Sequence, residues 1–258
     1  MVDNSYRWKV NALSVCGSDH EKVGALCQDA YYHKIINKDV LISAVADGAG
    51  SALHGDIGAK IAVETSVKNI ISKSDKIEDW QELLIDSFKT AIKSIEERAK
   101  SDNLPIREFA TTLILVIACP NFVISAQVGD GAVVINEGED NLIALTRPQI
   151  GEYINETDFI VLPNVLDRIQ MELWDGLAKN LAIISDGLQM LALKMPEETP
   201  FAPFFMPLFR FVSNAKSSDV KEQLESFLHS ERIRERTTDD LTLFLATLEE
   251  KHRKKKDD

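Results

Sequence analysis

At 258 residues the chain is long enough for one large or two small domains, and its 45% hydrophobic content is that of a globular protein. A formal net charge of −12 argues against a nucleic-acid binder that relies on phosphate attraction. The N-terminal MVDNSYRWKV lacks the apolar core of a signal peptide, and no apolar run approaches the roughly 20 residues that span a bilayer, so no membrane association is expected. Cys16, Cys27 and Cys119 form no C-x-x-C pair and are odd in number, which speaks against a disulfide framework or a zinc site. Reduced thiols in a cytoplasmic, monomeric protein are expected.

In chain order, the first strong strand signal is 40–46. A helix follows, with Val63, Val67, Ile70 and Ile71 at helical spacing. A second helix carries Trp80, Leu83, Leu84, Phe88, Ala91, Ile92 and Ile95, and Asp79 with Glu82 marks its start. The runs 111–118 and 122–128, separated by Cys119, Pro120 and Asn121, predict an antiparallel hairpin. Further strands are expected at 132–135, 181–184 and 241–247, with a helix through Val220, Leu224, Phe227 and Leu228 before the last. Residues 195–211, MPEETPFAPFFMPLFRF, read as a buried or half-buried irregular loop, with an exposed apolar docking patch as the alternative. Helices arrive as a pair and strands as a run, which predicts an α+β fold rather than a doubly wound parallel sheet. One domain over 1–250 is expected, with a charged, frayed tail at 251–258.

The informative pattern is where aspartates fall. The strand at 40–46 runs into Asp47-Gly48, the strand at 122–128 into Gly129-Asp130-Gly131, and the strand at 181–184 into Ser185-Asp186-Gly187. Asp239 and Asp240 immediately precede the last strand. One Asp-Gly is only a turn signal. If several such carboxylates converge, a pair ~4 Å apart repels by about 4 kcal/mol at an effective dielectric near 20. Hard divalent cations remove that penalty, and oxygen-only ligands point to Mg²⁺ or Mn²⁺.

Taken in order, these segments resemble the motif series of the type 2C, metal-dependent (PPM-type) protein phosphatases. Gln28-Asp29 resembles the family's first acidic motif, with Gln where many members have Glu. Ala46-Asp47-Gly48-Ala49-Gly50 resembles its V-A-D-G-x-G motif, and Phe109-Ala110-Thr111-Thr112-Leu113 its G-T-T strand. Val128-Gly129-Asp130-Gly131 is similar to its G-D-S element, Ile184-Ser185-Asp186-Gly187 to its S-D-G motif, and Asp239-Asp240-Leu241-Thr242 to its D-N-x-T. The resemblance covers about residues 10–248, and HEKVGALCQDAY with GEYINETDF (151–159) suggests a compact bacterial subgroup.

The resemblance implies an αββα sandwich of two antiparallel sheets flanked by helices, with two or three Mg²⁺ or Mn²⁺ ions between them. It implies that Asp47 bridges two metals with the Gly48 carbonyl as a further ligand, and that Asp186 and Asp239 complete the first metal's shell. Asp29, with Gln28 nearby, would hold metal-bound waters, and Asp130 with Asp186 a third, looser ion. The implied reaction is hydrolysis of phosphoserine and phosphothreonine in phosphorylated proteins by a metal-bridging water. No cysteine here begins a C-x₅-R run, as a thiol-based phosphatase would need. Many members carry a phosphate-gripping Arg where this chain has Gly24, so Lys22 or His20 is expected to substitute. Where some have a His as general acid this chain has Ala49, leaving His54 as a candidate. A substrate-selecting flap in 147–178 is expected to be reduced, and Asp240 to tolerate Asn. Two other readings are a binding module that keeps the fold without turnover and a hydrolase of small phosphorylated molecules.

Overall fold

The computed structural model describes residues 5–74, 79–138, 141–149, 157–215 and 217–251. Strand β1 (Ser5–Val15) leads through the short helix α1 (Ser18–Val23) into the hairpin β2 (Asp29–Ile36) and β3 (Val40–Asp47). Two long helices follow, α2 (Gly55–Lys73) and α3 (Trp80–Asp102), then the strands β4 (Leu113–Cys119), β5 (Phe122–Val128), β6 (Ala132–Gly138) and β7 (Asn141–Thr146). Next come β8 (Gln170–Asp175), β9 (Asn180–Ile184), α4 (Gln189–Ala192) and a ribbon of β10 (Leu193–Lys194) with β11 (Thr199–Pro200). Helices α5 (Ala202–Asn214), α6 (Ser217–Leu228) and α7 (Glu231–Arg234) precede the closing strand β12 (Leu241–Lys251).

The strands form two antiparallel five-stranded sheets, in the orders β1-β12-β9-β6-β7 and β2-β3-β4-β5-β8. Alternation along each central strand sorts its side chains between two cores. On β3, Ile42, Ala44 and Ala46 pack under α2 and α3, whereas Leu41 and Val45 face the opposite sheet. On β12, Leu243 and Leu245 pack under the C-terminal helices, and Phe244 and Ala246 join Leu41 and Val45 between the sheets. Trp8 ties the layers together: its Nε1 donates to the carbonyls of Asp39 at 2.9 Å and Ala118 at 3.2 Å. The result is the expected α+β sandwich, helices outside and two sheets within.

The predicted central strands, the hairpin at β4–β5 and the helix stripes are all present. Asp79 caps α3, its Oδ1 accepting from the amides of Gln81 at 2.7 Å and Glu82 at 3.3 Å. Two expectations need correction. Much of 195–211 is helix α5 rather than irregular loop, because Phe204, Phe205, Leu208, Phe209 and Val212 form a helical stripe against the sheet that outweighs Pro207 within it. Lys251 is not tail but the last residue of β12, paired with Ser5, and 252–258 lie outside the described residues. The segment expected to hold a reduced flap contributes β8, an edge strand paired with β5, while 150–156 lie outside the described residues.

Candidate metal centre

The strand ends that carry the aspartates meet at one end of the sandwich. Asp29 opens β2 directly opposite Asp47, the last residue of β3. Asp130 sits in the turn from β5 to β6, whose Gly129 has φ of 118° and lies against Thr112, so a side chain there is excluded twice over. Asp186 comes one residue after β9, past Ser185, and Asp239 lies just ahead of β12. Carboxylate oxygens of Asp47, Asp130 and Asp186 come within 4.8 Å of one another.

Backbone and hydroxyl contacts hold each acid in place. The Asp47 amide donates to Thr112 Oγ1 at 2.9 Å, and its carbonyl accepts from the Thr112 amide at 2.8 Å and Thr111 Oγ1 at 2.9 Å. Ser185 Oγ donates to Asp29 Oδ2 at 2.7 Å and accepts from the Thr242 amide at 2.8 Å. Thr157 Oγ1 donates to Asp130 Oδ2, and Asp239 Oδ1 accepts from the Asp240 amide at 2.8 Å. The Thr-Thr and Ser-Asp pairs noted in the sequence therefore orient the acids beside them.

The electrostatics are one-sided. Burial pushes the Asp29 carboxyl up to about 7; hydrogen bonds from Ser185 and Thr242 oppose the rise, and the charges of Asp186 and Asp240 add to it. Burial likewise lifts Asp186 to about 6, with the charges of Asp130 and Asp239 adding. Asp47 is held well above the usual carboxylate range by burial and then by the charges of Asp29 and Asp186. Burial also raises Asp130, with Asp239 adding. Among the described residues, no lysine or arginine forms an ion pair with Asp29, Asp47, Asp130, Asp186 or Asp239. Asp29 Oδ1, Asp186 Oδ1 and Gln28 Oε1 are buried without a hydrogen-bond partner among those residues. Buried lone pairs in uncompensated negative surroundings cost stability unless something fills the role. Oxygen donors, missing counter-charge and orphaned acceptors together fit a hard divalent cation.

The structure redistributes the other candidate roles. Asp239 stands beside the cluster, and its charge bears on Asp47, Asp130 and Asp186. Lys22 lies on the exposed helix α1, where its Nζ is 2.8 Å from Asp19 Oδ1. His20 is engaged elsewhere too, its Nδ1 3.0 Å from Asp240 Oδ2. Gly24 caps α1 with φ of 68°, a backbone conformation that a side chain at this position would strain. The His54 amide donates to the Glu108 carbonyl ahead of α2, and its ring stacks on Phe109 with centroids 5.2 Å apart, which is a structural placement.

Asp240 is the residue whose importance the sequence understated. Its carboxylate, 1% exposed, accepts from the Gly17 amide through Oδ1 and the Gln28 amide through Oδ2, each at 2.6 Å. It thereby pins both ends of the loop that contains α1 and delivers Gln28 and Asp29 to the centre. Cys16, His20 and Asp240 also approach within 4.8 Å of one another, an arrangement this clamp accounts for. Burial raises the thiols of Cys16, Cys27 and Cys119 above their ordinary value, so none is poised as a nucleophile.

Comparison with known proteins places this geometry. The sequence profile described as Protein phosphatase 2C matches residues 16–229, and the chain belongs to that family. It is 35% identical over 251 residues to Serine/threonine-protein phosphatase 3 of Escherichia coli (strain K12), a match covering 93% of this chain and 98% of that one. The fold is shared with the S. agalactiae serine/threonine phosphatase, at a TM-score of 0.65 and 19% identity over 94% of this chain and all (100%) of that one. It is shared also with the catalytic domain of the serine threonine protein phosphatase PstP, solved with 2 manganese ions, at a TM-score of 0.62 and 15% identity over 95% and 99% of the two chains.

Proposed function

We propose that this chain is a metal-dependent protein phosphatase that removes phosphate from phosphoserine and phosphothreonine. The observation that carries the reading is the convergence of the half-buried Asp47, Asp130 and Asp186, with which no lysine or arginine among the described residues forms an ion pair. Bound cations would offset the mutual repulsion and desolvation of these carboxylates. The relative from Escherichia coli, similar along nearly its whole length, is named a serine/threonine-protein phosphatase, which supplies the substrate class.

Asp47 and Asp186 would hold Mn²⁺ or Mg²⁺ at the centre, with Asp239 and the Gly48 carbonyl at its edge and Asp130 serving a further ion with Asp186. When bound, the cations lower the pKa of water and stabilise charge developing on the phosphoryl oxygens. The chain's own part is positional. Asp29 Oδ1 and Gln28 Oε1, both orphaned, are free to orient water, while Ser185 keeps the other Asp29 oxygen engaged. With Lys22 beside Asp19, His20 beside Asp240 and His54 stacked on Phe109, the substrate phosphate would be held mainly by the cations. Both sheets supply acids to this one centre, so 1–250 acts as a single phosphatase domain. Among the described residues no helix is long and apolar enough to cross a membrane. The three free cysteines suit the reducing cytoplasm, where we place the chain as a monomer that uses neither nucleic acid nor membrane.

The substrate assignment is tested by comparing kcat/KM, with Mn²⁺ present, for phosphothreonine and phosphoserine peptides, a phosphotyrosine peptide and a sugar phosphate. The serine and threonine peptides should lead by at least about tenfold, a difference of ~1.4 kcal/mol in transition-state binding. A lead for the sugar phosphate would assign the chain to small phosphorylated molecules instead.

The raised carboxyl pKa values also predict a pH signature. Asp29 and Asp186 ordinarily titrate near 3.8 but are lifted to about 7 and about 6 in the folded chain. A native state that holds protons the unfolded chain has released loses stability as pH rises through that interval. Chelated protein should therefore lose Tm from these groups between about pH 4 and pH 7. Added Mn²⁺ takes the place of those protons, so it should raise Tm more at pH 8 than at pH 5. Thermal melts with EDTA and with Mn²⁺ at both pH values check this; an equal or larger gain at pH 5 would contradict it.

A further inference from the structure

Away from the acidic centre, a cavity of about 630 Å³ opens among α4, α5, α6, α7 and the β10–β11 ribbon. That volume lies within the range of small-molecule sites. Its walls are largely apolar, built from residues such as Leu208, Phe211, Leu224 and Phe227. Its charged lining is all of one sign: Lys194, Arg232 and Arg236, with no carboxylate among the lining residues. This is unexpected in a chain with 41 acidic and 29 basic residues.

These cations are also without partners. Among the described residues, neither Arg232 nor Arg236 has a side-chain hydrogen bond or ion pair, and Lys194 Nζ only lies over the Phe201 ring, 5.9 Å from its centroid. Arg234, on the same helix but not lining the cavity, shows the contrast. Its Nη2 lies 2.9 Å from Glu21 Oε1 and 2.7 Å from His229 Nδ1. Two guanidinium groups and one ammonium, all on exposed residues, thus line an apolar cavity with no protein carboxylate paired to them. A guanidinium favours a planar oxyanion, and the aromatic and aliphatic walls favour a hydrocarbon.

We propose that this cavity binds a small amphiphile with a hydrocarbon body and a single anionic head group, a carboxylate or a phosphate. The body lies between α5 and α6, and the head meets Arg232, Arg236 and Lys194. The test is displacement of the fluorescent probe anilinonaphthalene sulfonate from the full-length, Mn²⁺-loaded protein by dodecanoate, dodecyl phosphate and uncharged dodecanol. At least one anion should displace the probe saturably and at least about tenfold more tightly than dodecanol, as expected when a charge-assisted contact is present. The tighter anion names the head group. The double variant R232A/R236A should weaken the anions about tenfold, leave dodecanol unchanged and leave peptide dephosphorylation unaltered. Lys194→Ala, on β10, asks the same question should the double variant fail to fold. Equal affinity for dodecanol and the anions, anion binding untouched by these substitutions, or failure of every amphiphile to compete would overturn the proposal.

Discussion

Asp47→Asn should lower kcat/KM on a phosphothreonine peptide by about a thousandfold or more, the several kcal/mol that a lost metal contact represents. The substitution keeps the shape of the side chain and removes its charge. The end of β3 should not move, because the Asp47 amide and carbonyl are held by Thr111 and Thr112 rather than by the carboxylate. Burial and the charges of Asp29 and Asp186 already work against ionisation of Asp47. The variant should therefore melt at or above the temperature of the wild-type protein in EDTA and gain less from Mn²⁺. That pairing of lost turnover with retained stability marks a cation ligand. An Asp47→Asn variant with near-normal turnover would remove Asp47 from the chemistry.

The second large effect is expected at Asp240, for a different reason. Asp240→Ala leaves the Gly17 and Gln28 amides without their acceptor in a nearly closed site. At roughly 1.5–3 kcal/mol for each hydrogen bond to a charged group, the loss is about 3–6 kcal/mol, or a fall in Tm on the order of 10 °C. Asp240→Asn retains one acceptor but turns an NH₂ group toward the second amide, so it should lose about half as much. This reverses the tolerance that the family's D-N-x-T pattern suggests. Because the clamp delivers Gln28 and Asp29 to the centre, Mn²⁺ affinity should fall about 10–100-fold in both variants, as it does when groups supporting a metal ligand are removed. Thermal melts and Mn²⁺ titration read the two effects separately. An Asp240→Asn variant with unchanged Tm and Mn²⁺ affinity would show that the loop is held by other contacts.

How far the sequence could be read follows from burial. The central strands β3, β4, β5, β6, β9 and β12 stood out as apolar runs because their side chains are buried toward both the helices and the other sheet. The four long strands that passed unnoticed, β1, β2, β7 and β8, are the four sheet edges. Edge strands carry polar and charged residues, such as Glu172 and Asp175 on β8, and these interrupt the apolar signal. On α5, two prolines in a Phe-rich stretch outweighed a helical stripe that was present all along.

The acids were legible because a chain that turns tightly at a strand end spells Asp-Gly, and several such ends in a fixed order resemble one family. What stayed hidden depends on contacts distant in sequence. His20 and Lys22 were basic residues on a plausible loop, but only the fold brings His20 to Asp240 and leaves Lys22 on the exposed surface with Asp19. Two consecutive aspartates before β12 could not be told apart in sequence, although one borders the centre and the other clamps a loop more than 200 residues away in the chain (|i−j| of 223 and 212).

The central claim is that the buried acids hold divalent cations and that those cations carry out the dephosphorylation. It is tested most directly by stripping the protein with chelator and following phosphate release from a phosphothreonine peptide as Mn²⁺ is titrated back. The account predicts no turnover before Mn²⁺ is added, saturable recovery as it rises, and no recovery in Asp47→Asn. Turnover that survives exhaustive chelation would contradict the metal chemistry, and Mn²⁺ binding without turnover would leave a binding module with a phosphatase fold.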